Sequence, residues 1–124
     1  MFAVRRRTEI DPAEFHSYWR DQHGPLVRSL QPALGIRRYV QTHRMETPLN
    51  EALRIGRGAL EPFDGVAELW WDDIDALVAA TSSSEGSAAG RTLFEDETKF
   101  IDLEQSTLWL GQETEIIPFV STPE

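Results

Sequence analysis

Three histidines are the groups in this chain best suited to move a proton near neutral pH, and two of them stand in informative company. His43 ends the run Arg38-Tyr39-Val40-Gln41-Thr42-His43, whose alternation reads as a strand. Residues two apart share a strand face, so His43 belongs with Tyr39 and Gln41. An imidazole beside a phenol and an amide suits proton transfer on a bound organic molecule, which makes His43 the first candidate catalyst. His23 closes an amphipathic stretch, Phe15 to Gln22, just before Gly24-Pro25. In the last turn of a helix it faces the negative dipole end, which favours its protonated form. It is the second acid–base candidate, expected at the mouth of a binding site. Glu68 shares a strand face with Trp70, and a carboxylate held against an apolar wall is desolvated into a usable acid or base. Tyr39, Gln41, Trp70, Trp109 and Asp64 are the expected substrate contacts. His16, near an exposed helical edge with Arg20, is assigned no role.

Other chemistries lack their residues. With no cysteine there is no thiolate, disulfide or cysteine metal site. His23, His43, Asp64 and Glu68 have no spacing that requires a metal, and no metal is expected. Gly-rich phosphate loops and the Gly-x-Ser-x-Gly elbow are absent, so no nucleotide cofactor or serine hydrolase of that type is expected.

These side chains need elements to hold them. Residues 2–7 read as a first strand. A helix follows from Pro12, capped by Asp11 with Glu14 three residues on, and Pro25 predicts its end or a kink at Gly24. A second helical piece spans 25–33, broken by Gly35. Strands are expected at 36–43, 65–71 and 105–115, and helices at about 74–81, capped by Asp72 or Asp73, and 88–100. The order β-α-β-β-α-β is the ferredoxin-like α+β arrangement, an antiparallel sheet with helices on one face. The other face would expose Tyr39, Trp70 and Trp109, depending on register. Large aromatic patches seldom face water in a monomer, so a second sheet is expected to cover it.

The runs that carry these candidates also carry a resemblance. Phe15-x-x-Tyr18-Trp19-Arg20-Asp21-Gln22-His23-Gly24-Pro25-Leu26, the strand ending at His43, Asp64-Gly65-Val66-Ala67-Glu68-Leu69-Trp70, and Glu95-Asp96-Glu97-x-x-Phe100-Ile101-Asp102 occur in the order of the EthD family, which the chain resembles over nearly its whole length. The resemblance implies a single domain, residues 1–124, pairing through its sheet faces as a dimeric α/β barrel. It also implies acid–base chemistry without a cofactor (dehydration, cyclisation or isomerisation) on an aromatic or polyketide-like molecule. The alternative is a non-catalytic binder or accessory protein of a degradation or biosynthetic pathway.

Charge narrows the partners. Residues 1–60 carry ten basic and six acidic groups (+4), and residues 61–124 carry two basic and fifteen acidic (−13), giving the net −9. Such a surface suits no nucleic acid, although opposite-sign halves favour pairing of subunits. No apolar run approaches membrane-spanning length and no secretory hydrophobic region follows Met1, so a cytoplasmic protein with no membrane partner is expected. Residues 44–63 form a long connection, expected to fold over or beside the pocket.

Overall fold

The computed structural model describes residues 1–123. Its sheet has the order β2-β3-β1-β4, built from Phe2–Val4 (β1), Arg38–His43 (β2), Gly65–Trp70 (β3) and Thr107–Leu108 (β4), and every pairing is antiparallel. With the helices between them this is the expected α+β arrangement.

The first helical segment begins as its residues dictate. Asp11 accepts from the Glu14 amide at 2.8 Å, and Pro12 opens α1 (Pro12–Tyr18). Of the end or kink expected at Gly24, the chain makes no end but an irregular turn just before it. Tyr18, His23 and Gly24 all keep right-handed helical angles, and the chain widens into a π-turn over Trp19–His23 before continuing as α2 (Gly24–Ser29). The wider ring, closed by the Gly24 amide on the Trp19 carbonyl, leads into a turn where Pro25 needs no donor. Helix α3 (Gln31–Leu34) stops at Gly35, whose φ of 68° is left-handed.

Register decides which side chains meet the helices. Phe2 pairs with Ala67, Ala67 with Gln41 and Leu69 with Tyr39, so these lie on one face with Val4, Gly65 and His43. The core of Val4, Phe15, Trp19, Ala67, Phe100 and Ile101 sits on that face, with Tyr39 and Leu69 packed against it. Gly65 is required there: a Cβ on it would lie 2.5 Å from both the Trp19 ring and the Thr42 carbonyl oxygen. The opposite, open face presents Ala3, Arg38, Val40, Thr42, Val66, Glu68 and Trp70. The expected companionship of Tyr39 with Trp70 therefore fails, because Tyr39 faces the helices.

Helix α4 (Pro48–Arg57), capped by Thr47, fills most of the β2–β3 connection, and none of its residues is buried. Helices α5 (Ile74–Ser82) and α6 (Ser84–Glu97) are each capped by the residue before them, Asp73 and Ser83. The break between them is shorter than Ser82–Ser87, since Ser83 alone interrupts the helix. The last strand is also shorter than expected. After Thr107–Leu108 the final rung joins Met1 and Trp109, and residues 110–123 run without a strand partner. No helix is long and apolar enough to cross a membrane.

Candidate functional site

A cavity of about 370 Å³ opens between the π-turn, α2 and β2. Val27, Ile36 and Pro25 give it apolar walls, Arg20 and Arg28 stand on the α2 side, and Tyr39, Gln41 and Gln31 bring polar groups. No carboxylate lines it. Its size and mixed walls fit a small organic molecule.

The polar wall is one end of a hydrogen-bonded chain. Gln41 Nε2 donates to the Trp19 carbonyl at 2.9 Å and to the Tyr39 hydroxyl at 2.8 Å. A carbonyl oxygen only accepts, so the amide nitrogen must face it and Oε1 must face the other way. There it lies 2.8 Å from His43 Nε2, which therefore carries a proton and donates. Neutral His43 then has its lone pair on Nδ1, and His16 Nδ1, 2.7 Å away, donates to it. The lone pair at the end of the chain falls on His16 Nε2, buried without a hydrogen-bond partner among the described residues. The Trp19 carbonyl, which accepts from both the Gly24 amide and Gln41, thus fixes the tautomers of two histidines. Burial lowers the pKa of both, and each stays neutral at neutral pH.

Tyr39 is the titratable group that faces the cavity. Burial pushes its phenol up, while the hydrogen bond from Gln41 lowers it and the Glu97 charge raises it. Its oxygen accepts from Gln41, leaving its own proton free to point into the cavity. His43 does not line the cavity, and both its ring nitrogens are engaged within the protein. It stands behind Gln41, its ring 4.4 Å from that of Trp19 between centroids.

His23 stands apart. It is 4% exposed, and its Nδ1 meets Asp96 Oδ2 at 2.7 Å, while the Tyr18 hydroxyl donates to Asp96 Oδ1 at 2.5 Å. Burial pushes Asp96 up, but the hydrogen bonds from Tyr18 and His23 outweigh it and hold the carboxyl low. Burial and Asp96 push Tyr18 up to about 12, and burial lowers His23 despite Asp96. This cluster ties the π-turn to α6 and does not line the cavity, so the expected place for His23 at a pocket mouth is not where the chain puts it.

The remaining candidates scatter. Asp64 is buried, accepting from the Arg6 amide at 2.8 Å and pairing with Arg44 at 3.4 Å, which anchors the start of β3. Glu68 and Trp70 lie on the open face, with Arg38 over the Trp70 ring at 5.9 Å. Trp109 lies past β4, 46% exposed. Residues 44–63 supply nothing to the cavity wall.

Sequence reasoning missed His16 and Glu97. His16 precedes the buried Trp19 by three residues, a helical spacing that turns it toward the sheet and away from solvent. Glu97, given no role of its own within Glu95-Asp96-Glu97, has its carboxyl pushed up to about 7 by burial and by Asp96.

Comparison with known proteins agrees with this architecture. No curated protein matches the chain. Among solved structures it is similar to the crystal structure of an ethyl tert-butyl ether d (EthD) family protein from Bacillus halodurans. The two are 26% identical, the match covers 91% of this chain and 95% of that one, and the TM-score is 0.59. Residues 7–104 match the EthD domain, spanning α1 to the turn before β4, and the chain belongs to the EthD family.

Proposed function

We propose that the cavity binds an aromatic or polyketide-like molecule and that the protein catalyses its dehydration, cyclisation or isomerisation by acid–base chemistry. The observation that carries this reading is the Tyr39 hydroxyl, set on the cavity wall with Gln41 donating to its oxygen. On a substrate with a carbonyl, each of these reactions takes a proton from the carbon beside it and develops negative charge on the carbonyl oxygen; with no imidazole or carboxylate on the wall, that proton passes to solvent water in the open cavity. A phenol that donates, with Arg20 and Arg28 beside it, would stabilise that charge where it forms. Tyr39 is the residue assigned to touch substrate, and Gln41, His43 and His16 act by positioning it.

Solvent-deuterium incorporation into a panel of aromatic ketones tests this. The parent protein is expected to accelerate exchange at the carbon beside the carbonyl. Tyr39→Phe is expected to lose about a hundredfold to ten-thousandfold of that rate. Binding of the same ketones with no acceleration favours the second reading, a non-catalytic binder. One observation speaks for that reading: no imidazole or carboxylate lines the cavity.

The open sheet face supports a homodimer. Val40, Val66 and Trp70, each half-buried, form its apolar surface, and Trp70 Nε1 is buried there without a hydrogen-bond partner among the described residues. A second copy laid face to face would cover them, completing a barrel with the cavities outside the shared sheets. A cytoplasmic location accompanies this reading.

A further inference from the structure

Helix α4 is inverted. Around its axis Ile55, Ala52, Leu49 and Leu53 form one arc, and Arg57, Asn50, Arg54 and Glu51 form the other. The polar arc holds the connection together: Asn50 donates to the Met45 carbonyl, and Arg54 pairs with Glu51 and reaches Glu61 at 3.5 Å. The apolar arc faces water, with Leu49 69%, Leu53 57% and Ile55 64% exposed. A second unburied apolar segment lies in residues 110–123, where Ile116, Ile117, Phe119 and Val120 are all strongly exposed.

Charge and direction relate the two. The tail carries Glu113 and Glu115 and no basic residue, whereas α4 ends in the exposed Arg57, beyond the Arg54 already paired with Glu51 and Glu61. Strand β4 runs from the level of Ala3 to that of Met1, so the tail leaves the sheet heading away from the Val4–Gly65–His43 end. Helix α4 hangs from that opposite end, between His43 and Gly65. Each tail thus points away from its own α4.

We infer that the tail of one chain docks through Ile116, Ile117 and Phe119 on the apolar arc of α4 of a second copy, reciprocally in a two-fold pair. It shares with the sheet-face dimer only the identity of the partner, and it does not depend on the chemistry of the cavity.

The chain has no cysteine, so disulfide trapping reads this contact directly. Leu53→Cys and Phe119→Cys proteins, both altered at exposed sites, are purified separately, mixed and mildly oxidised. The mixed disulfide is expected to form at least about tenfold faster than between Phe119→Cys and a Glu85→Cys control on exposed α6. Equal rates overturn the inference. So does a doubly substituted chain that closes only an internal disulfide, which would show the tail on its own α4. Parent protein that sediments with phosphatidylcholine–phosphatidylglycerol vesicles, and loses this with Leu53→Glu, overturns it in favour of a membrane surface. A parent that sediments as a monomer overturns the tail contact together with the sheet-face dimer, whereas a dimer with equal trapping rates removes the tail contact alone.

Discussion

His16 and His43 meet Nδ1 to Nδ1 at 2.7 Å, a contact possible only when one ring carries the shared proton and the other offers a lone pair. The Trp19 carbonyl, acting through Gln41, makes His43 the acceptor. Imidazole nitrogen NMR is therefore expected to show His43 protonated on Nε2 and His16 on Nδ1 at pH 7.5. In Gln41→Leu, which removes the amide, His43 is expected to lose this single tautomer. Mixed tautomers in the parent would refute the assignment.

Stability should depend on pH in two opposing directions. His16, His23 and His43 all have folded pKa values below the ordinary 6.5, so the native state holds fewer protons than the unfolded one. Their contribution is complete above about pH 6.5 and is lost as pH falls toward the folded values. Glu97 runs the other way, since its carboxyl rises from 4.5 to about 7 on folding and the unfolded state ionises first. Glu97→Gln is therefore expected to raise the melting temperature more at pH 8 than at pH 5. In that background, the fall in stability between pH 7.5 and 5 should steepen. A Glu97→Gln effect independent of pH would contradict the shift.

Gly65→Ala tests the close approach of Trp19 to β3. The added Cβ would lie 2.5 Å from ring and backbone atoms, so either the indole or the strand must move. A loss of about 1–3 kcal/mol is expected in urea unfolding, with altered tryptophan fluorescence. Unchanged stability would mean that the ring has room to retreat.

Asp96→Ala removes the common partner of His23 and Tyr18. Two buried or half-buried donors are then orphaned at about 1–3 kcal/mol each, and a loss of about 2–6 kcal/mol is expected. Ligand affinity measured on the remaining folded protein should stay near that of the parent, because the cluster lies away from the cavity wall. A selective loss of affinity without loss of stability would move Asp96 into the site.

Trp70→Glu places a charge on the open sheet face, at the end where β3 pairs with the start of β2. Analytical ultracentrifugation is expected to show a dimer for the parent and a monomer for the variant at micromolar concentration. A parent that sediments as a monomer would remove the sheet-face pairing.

The fold was legible because its signals are local. Asp11, Thr47 and Asp73 cap the helices they announce, and alternation in 38–43 and 65–70 correctly sorts each strand into two faces. Which face turns inward was not legible. Tyr39, Gln41 and His43 read as more polar than Val40 and its neighbours, yet they are the ones packed under the helices. The reason is a partner that alternation cannot show, the Trp19 carbonyl at the start of the π-turn, which also accepts from Gln41. His23 was misplaced for the same kind of reason, since Asp96 lies 73 residues away and only the packing of α6 brings it near. The long final strand was overestimated because alternation continues past Trp109 although its pairing does not.

The π-turn also sets the phase of the segment. Five residues, Trp19 to His23, occupy a stretch that four to five would fill in an ordinary helix, so everything after it is rotated relative to everything before. Phe15 and His16 are aimed at the core and at His43 from one side of this offset, and Val27 and Arg28 at the cavity from the other. Inserting one more residue between them would swing one half about 100° against the other. Either the core or the cavity wall would then lose its aim, so the segment should tolerate many substitutions better than any change in its length.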